Sequence, residues 1–140
     1  MAVFLYVEFN KEIIMALAPR NTKQVRNAKE YWIARGQRRC HCGRQFHWKP
    51  GTRNFATVEH LVPKSQNGTC ARANLILMCE GCNSKRQDTD WIEFVMENDF
   101  PKKEWLVEQY VNAVNFFQQN NRKVNVKNLK KMLTKYDLSV

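Results

Sequence analysis

The chain has 140 residues, 44% of them apolar and 26% charged, which suits one small domain with appendages and excludes a disordered or fibrous protein. Lys and Arg outnumber Asp and Glu by 23 to 13, a net charge of +10. So basic a balance points to a polyanionic partner, because each cation that meets a phosphate releases condensed counterions. No stretch is apolar for long enough to span a bilayer.

The elements follow in chain order. Phe4 to Phe9 reads as a short strand. Residues 1–18 carry Glu8, Lys11 and Glu12 and lack a basic leader, a poor pattern for a secretory signal. Met15-Ala-Leu-Ala-Pro-Arg reads as a plausible start, so the first fourteen residues are expected to be dispensable. Asn21 or Thr22 caps a predicted helix running to about Arg35, with Gly36 at its end. Residues 37–58 hold a predicted hairpin whose second strand ends near Ala56–His60. Residues 62–73 form a loop punctuated by Pro63 and Asn67-Gly68, and residues 74–87 read as helical. Thr89 or Asp90 caps a helix through Trp91, Phe94 and Val95, and Pro101 opens another, whose stripe Leu106, Tyr110, Ala113 or Val114, and Phe117 is core. Asn125 caps a last helix, with Val126, Leu129, Met132 and Leu133 on one side and Lys127, Lys130, Lys131 and Lys135 around it.

The charge is uneven. Residues 20–54 hold ten Lys/Arg and one acid, residues 87–121 two Lys and seven acids, and residues 122–140 six Lys/Arg and one acid. Two basic blocks therefore flank an acidic one.

Four of the five cysteines form two close pairs, Cys40/Cys42 and Cys79/Cys82, with Cys70 left over. Short pairs separated by a long gap read as a metal site rather than a disulfide framework, which favours a reducing, cytoplasmic compartment. Four thiolates close a tetrahedral zinc site with no open position, so its role is structural. His41 or His47 can stand in for one of the four. Between the pairs, Glu59-His60 at a strand end puts a carboxylate beside an imidazole. A neutral histidine is suited to take a proton from water near pH 7, and a carboxylate oxygen suits a magnesium-type ion.

Residues 36–88 resemble the HNH nucleases. His60, Asn74 and Asn83 match the three positions that name the family, with gaps of fourteen and nine residues. The phrase Asn74-Leu-Ile-Leu-Met-Cys79-Glu-Gly-Cys82-Asn83 is similar to its zinc-bearing members. The resemblance implies a ββα-metal fold and metal-dependent phosphodiester hydrolysis, leaving 5′-phosphate and 3′-hydroxyl ends. It implies His60 as general base, Glu59 and Asn83 as ligands of a catalytic Mg²⁺ or Mn²⁺, and Asn74 as the side chain that ties down the loop and orients His60. Read without the family, Asn74 could equally be a helix N-cap. Lys85 or Arg86 matches a basic position that follows the Cys-Asn pair and would meet phosphate.

The expected fold is α+β, a ββα-metal core with structural zinc (Cys40, Cys42, Cys79, Cys82) flanked by mainly helical segments: 1–35, then the core at 36–88, then 89–140 with its basic last helix. The expected function is a DNA endonuclease of the free-standing phage or mobile-element type. Lys64, Lys85, Arg86, Lys127, Lys130 and Lys131 are its candidate DNA contacts. The expected partner is double-stranded DNA, with homodimerisation one route to cutting both strands, and no membrane. The competing reading is a zinc-binding nucleic-acid adaptor without catalysis, which has no need of His60 with Asn83.

Overall fold

The computed structural model describes residues 22–126 and 128–139. The expectations for residues 1–14, including the strand at Phe4–Phe9, and for Lys127 fall outside them. The architecture is α+β: five α-helices and one two-stranded antiparallel ribbon among the described residues.

Helix α1 (Thr22–Ala34) ends at Gly36, whose φ of 88° is left-handed and favours a residue without Cβ. The ribbon pairs β1 (Ala56–His60) with β2 (Leu75–Cys79), in the register Ala56 to Cys79, Val58 to Leu77 and His60 to Leu75. Strand geometry then sorts the side chains by parity. Thr57 and Glu59 face α2 (Glu80–Arg86), whose Asn83 and Arg86 reach them. Val58 packs on the other face with Leu75, Cys70 and residues Val25 and Ala28 of α1. Trp32 Nε1 pins α1 to this ribbon by donating to the Leu75 carbonyl at 3.2 Å.

Residues 74–87 are thus not one helix. Asn74 closes a short 3₁₀ turn (Arg72–Asn74), residues 75–79 are strand, and the helix begins only at Glu80. The physical reason is two-sided burial. Every residue of Leu-Ile-Leu-Met-Cys is buried, and such a continuous apolar run has no period that separates strand from helix. The hairpin is likewise displaced. Residues 39–55 make only the isolated bridges Arg39 to Gln45 and His47 to Phe55, so β1 pairs forward, across residues 61–74, rather than back.

The helical remainder closes the core. Asp90 caps α3 (Trp91–Glu97), its Oδ1 accepting from the Ile92 and Glu93 amides, a cap worth about 1 kcal/mol. Pro101 precedes α4 (Lys103–Gln119) by two residues. Its stripe of Leu106, Tyr110, Ala113, Val114 and Phe117 is buried, and Trp91 Nε1 donates to the Leu106 carbonyl at 2.8 Å. The last helix, α5 (Leu129–Lys135), starts after Asn128 rather than Asn125; the Asn125 amide donates instead to the Gln66 carbonyl at 3.0 Å. Met132 seats α5 on the main core. Among the described residues no helix is long and apolar enough to cross a membrane.

Candidate active site and metal centre

The ribbon and α2 bring the two cysteine pairs together. Cys79 ends β2 and Cys82 lies in the first turn of α2; the Cys40–Gly43 turn, closed by the Gly43 amide on the Cys40 carbonyl, presents the other pair. The four Sγ atoms lie within 4.8 Å of one another, and Cys42 Sγ is 3.8 Å from Cys79 Sγ. A tetrahedron of about 2.3 Å zinc–sulfur bonds has edges of about 3.8 Å, so the cluster can hold a structural metal such as zinc. Hydrogen bonding with Cys82 draws the Cys40 thiol down to about 5 and pushes Cys82 up in turn. Two N–H groups already address Cys79 Sγ: the Cys82 amide at 3.4 Å, through which Cys79 caps α2, and Arg44 Nη1 at 4.0 Å. Neither alternative histidine joins the cluster. His41 sits beside Trp105 with ring centres 5.3 Å apart, and the His47 backbone bridges to Phe55.

At the far end of β1 lie Glu59 and His60. Glu59 is buried; its Oε1 accepts from Arg86 Nη1 at 3.1 Å and from the His60 amide at 3.0 Å. Its Oε2 is the buried side-chain polar atom without a hydrogen-bond partner among the described residues. Burial pushes this carboxyl above the usual range, against the pull of the Arg86 guanidinium. An unpaired buried carboxylate oxygen is costly, and a hard divalent cation is the kind of partner that relieves it. The donor set therefore fits such an ion.

His60 is half-buried on the opposite face, its Nε2 3.4 Å from Cys70 Sγ. Burial holds its imidazole below the usual histidine range, and Arg86 and Lys64 push the same way. Asn83 approaches the Glu59 face of β1 from α2. Its Nδ2 donates to Thr57 Oγ1 at 3.0 Å, a bond that spends the amide nitrogen and not the carbonyl oxygen.

Asn74 is fully buried and caps no α-helix. Its Oδ1 accepts from the Val62 amide at 2.7 Å, while Nδ2 donates to the Val62 carbonyl at 3.0 Å and the Thr69 carbonyl at 2.9 Å. It thereby staples the start of the loop after His60 to its end. Gly68 makes the staple feasible: a Cβ there would lie 1.8 Å from the Val62 carbonyl oxygen.

Arg86 overturns its sequence reading as a phosphate contact. It is 1% exposed and faces inward. Nη1 reaches Glu59 and the His60 carbonyl, Nη2 the Leu61 carbonyl at 2.9 Å, and Nε the Thr89 carbonyl at 3.0 Å. Lys64, Lys85, Lys130 and Lys131 are exposed; Lys64 acts electrostatically on His60, while Lys85 lines a groove of 1170 Å³ with Arg44 and Arg53.

Two neighbours carry no signal of their own in the sequence. Cys70, beside His60, is the odd cysteine of a loop. Thr57, beside Asn83, is legible only once β1 is in register, as the residue two before Glu59 and so on its face.

Residues 40–89 match the family model described as HNH endonuclease. No curated protein and no solved structure matches the chain. The stretch that matches holds both cysteine pairs, the ribbon, the Asn74-stapled loop and α2, so this chain carries an HNH endonuclease-family domain at residues 40–89.

Proposed function

We propose that the chain is a metal-dependent endonuclease that hydrolyses phosphodiester bonds of DNA. The observation that carries this reading is the end of β1: a carboxylate with one buried oxygen lacking a partner, next in sequence to an imidazole held neutral. A zinc-binding adaptor has no use for either.

In this reading His60 carries its ring proton on Nε2, toward Cys70 Sγ, and takes the proton of the attacking water at Nδ1. The water oxygen bonds to phosphorus, the bond to the 3′ oxygen breaks and that oxygen takes a proton from solvent, leaving 5′-phosphate and 3′-hydroxyl ends. Glu59 and Asn83 would hold the divalent ion, Mg²⁺ or Mn²⁺. When bound, that ion neutralises the charge developing on the phosphate and its leaving oxygen. Arg86 fixes Glu59 and the His60 carbonyl, and Asn74 fixes the loop that follows. Cys40, Cys42, Cys79 and Cys82 hold Zn²⁺, which is structural and takes no part in the reaction.

Residues 36–88 are then the catalytic unit, 1–35 lead into it, and 89–140 are a helical extension. Lys64 and Lys85, with Lys127, Lys130 and Lys131 of the last segment, add sequence-blind contacts to the DNA backbone. One such site cuts one strand at a time, so a double-strand break needs two copies or two encounters.

The test is cleavage of supercoiled plasmid with Mg²⁺ or Mn²⁺, wild type beside His60→Ala, with EDTA as blank. We expect the variant, still folded and zinc-loaded, to cut roughly 10²- to 10⁴-fold more slowly, the usual contribution of a general base. Equal rates, or no cleavage by wild type with any divalent ion, would leave the adaptor as the better account.

A further inference from the structure

Trp48 is the exposed large apolar side chain among the described residues, at 47% exposure. Its exposure does not come from a slack segment. The His47 amide donates to the Asn54 carbonyl, the Ala56 amide donates to the His47 carbonyl, and Asn54 Nδ2 donates to the Gln45 carbonyl, so the loop is closed at its base. The indole rests edge-on against buried Phe46, ring centres 5.8 Å apart. The indole is thus presented to water from a fixed position on the surface.

The stretch of sequence that carries it is one-sidedly charged. Residues 31–58 contain six cations, Arg35, Arg38, Arg39, Arg44, Lys49 and Arg53, and no acid. The ion pairs of the described residues, Arg86 with Glu59 and Lys103 with Asp99, involve none of the six. Residues 50–53 of the Trp48 loop wall a groove whose lining holds the cations Arg44, Arg53 and Lys85 and the acids Glu80 and Asp99. An exposed aromatic face and cations without a carboxylate partner are the two components that hold nucleic acid strands, one stacking on bases and the other tracking phosphates.

We infer that the loop at residues 44–53 is a DNA-contacting tip on which Trp48 stacks against a base. This rests on the proposed nuclease function for its choice of DNA. The loop base and His60 lie at opposite ends of β1, roughly 14 Å apart at about 3.4 Å per residue. The indole therefore touches a nucleotide other than the one that is cut.

The experiment uses the full chain in a His60→Ala background, which binds without cutting. A short DNA duplex is titrated against it, reading tryptophan emission and affinity together, with circular dichroism to confirm folding. DNA should quench an emission component that is missing in Trp48→Phe. Trp48→Ala should weaken binding by about 5- to 100-fold, the range of one aromatic–base stack. Trp48→Phe should recover most of the loss, and Trp48→Lys, which adds charge without a ring, should not. The inference is overturned if Trp48→Ala binds within twofold of its parent, or if Trp48→Lys binds as tightly. It is also overturned if only RNA, or only vesicles of phosphatidylserine and phosphatidylcholine, shift the Trp48 emission. Plasmid cleavage by wild type separates this from the function itself. Cleavage with binding indifferent to Trp48 removes the tip alone. Trp48-dependent binding without cleavage keeps the tip and removes the catalysis, and neither signal removes both.

Discussion

Arg86 shows how much one buried side chain can organise. Its guanidinium donates to one carboxylate and three backbone carbonyls, all from the segments that carry the Glu59–His60 end or lead into α3. Truncating it would leave Glu59 buried and uncompensated. Arg86→Ala should therefore cost about 3–5 kcal/mol in denaturant unfolding of the metal-loaded protein, the range for breaking a buried pair. Arg86→Lys should recover only part of this, because an ammonium cannot span four acceptors with a planar fork. A cost below about 1 kcal/mol would mean that the ion pair adds nothing to the fold. The sequence placed Arg86 with Lys85 as one basic unit. Adjacent residues on a helix point about 100° apart, and here that angle separates a solvent-facing lysine from a core arginine. Residue types and spacings were enough to find the cysteine quartet and the Glu59-His60 pair. They could not say which of two neighbouring cations turned inward, because the facing strand sets that.

Among the elements, the step from β2 to α2 is the most compressed. Cys79 ends a strand, supplies a sulfur to the quartet and caps the next helix, while Cys82 supplies another sulfur one turn later. The seven-residue α2 is too short to persist on its own. It also carries Asn83 and Arg86, so a metal in the quartet would stabilise the element that holds the other end of β1. Stripping metal with a chelator should lower the melting temperature sharply and erase the cooperative transition, and Cys79→Ser should do the same in the presence of zinc. Cobalt substitution should give the intense sulfur-to-metal charge-transfer band of a four-thiolate site. An unchanged melt after chelation, with no bound metal by elemental analysis, would sink the assignment. The helices that sequence reading recovered best, α1, α3 and α4, have caps or stripes written in their own residues: Gly36, Asp90, and the run from Leu106 to Phe117. The elements it misplaced, β2 and the hairpin partner of β1, depend on burial from both sides and on pairing across the loop, neither of which leaves a local mark.

For the molecule as a whole, the charge blocks of the sequence become a division of labour. The acid-free run of residues 31–58 surrounds the cysteine turn and the Trp48 tip, while the acidic block falls on α3 and α4, the helices that build the core. The segment after α4 is tied to the loop that follows His60. Arg122 Nε and Nη2 donate to the carbonyl and the side-chain oxygen of Asn67, each at 2.8 Å; Asn67 Nδ2 donates to the Lys123 carbonyl, and the Asn125 amide to Gln66. Residues more than fifty apart in sequence meet there, which no periodicity announces. That loop is thus gripped twice, from within by Asn74 and from without by Arg122. Two chain segments joined in this way share one opening event, and its free energy belongs to neither alone. In hydrogen–deuterium exchange the amides of residues 64–74 and 120–126 should therefore lose protection together. Arg122→Ala should speed exchange at Gly68 and Asn74 as much as at Asn125, and protection that fell only in the tail would mean the loop keeps time by itself.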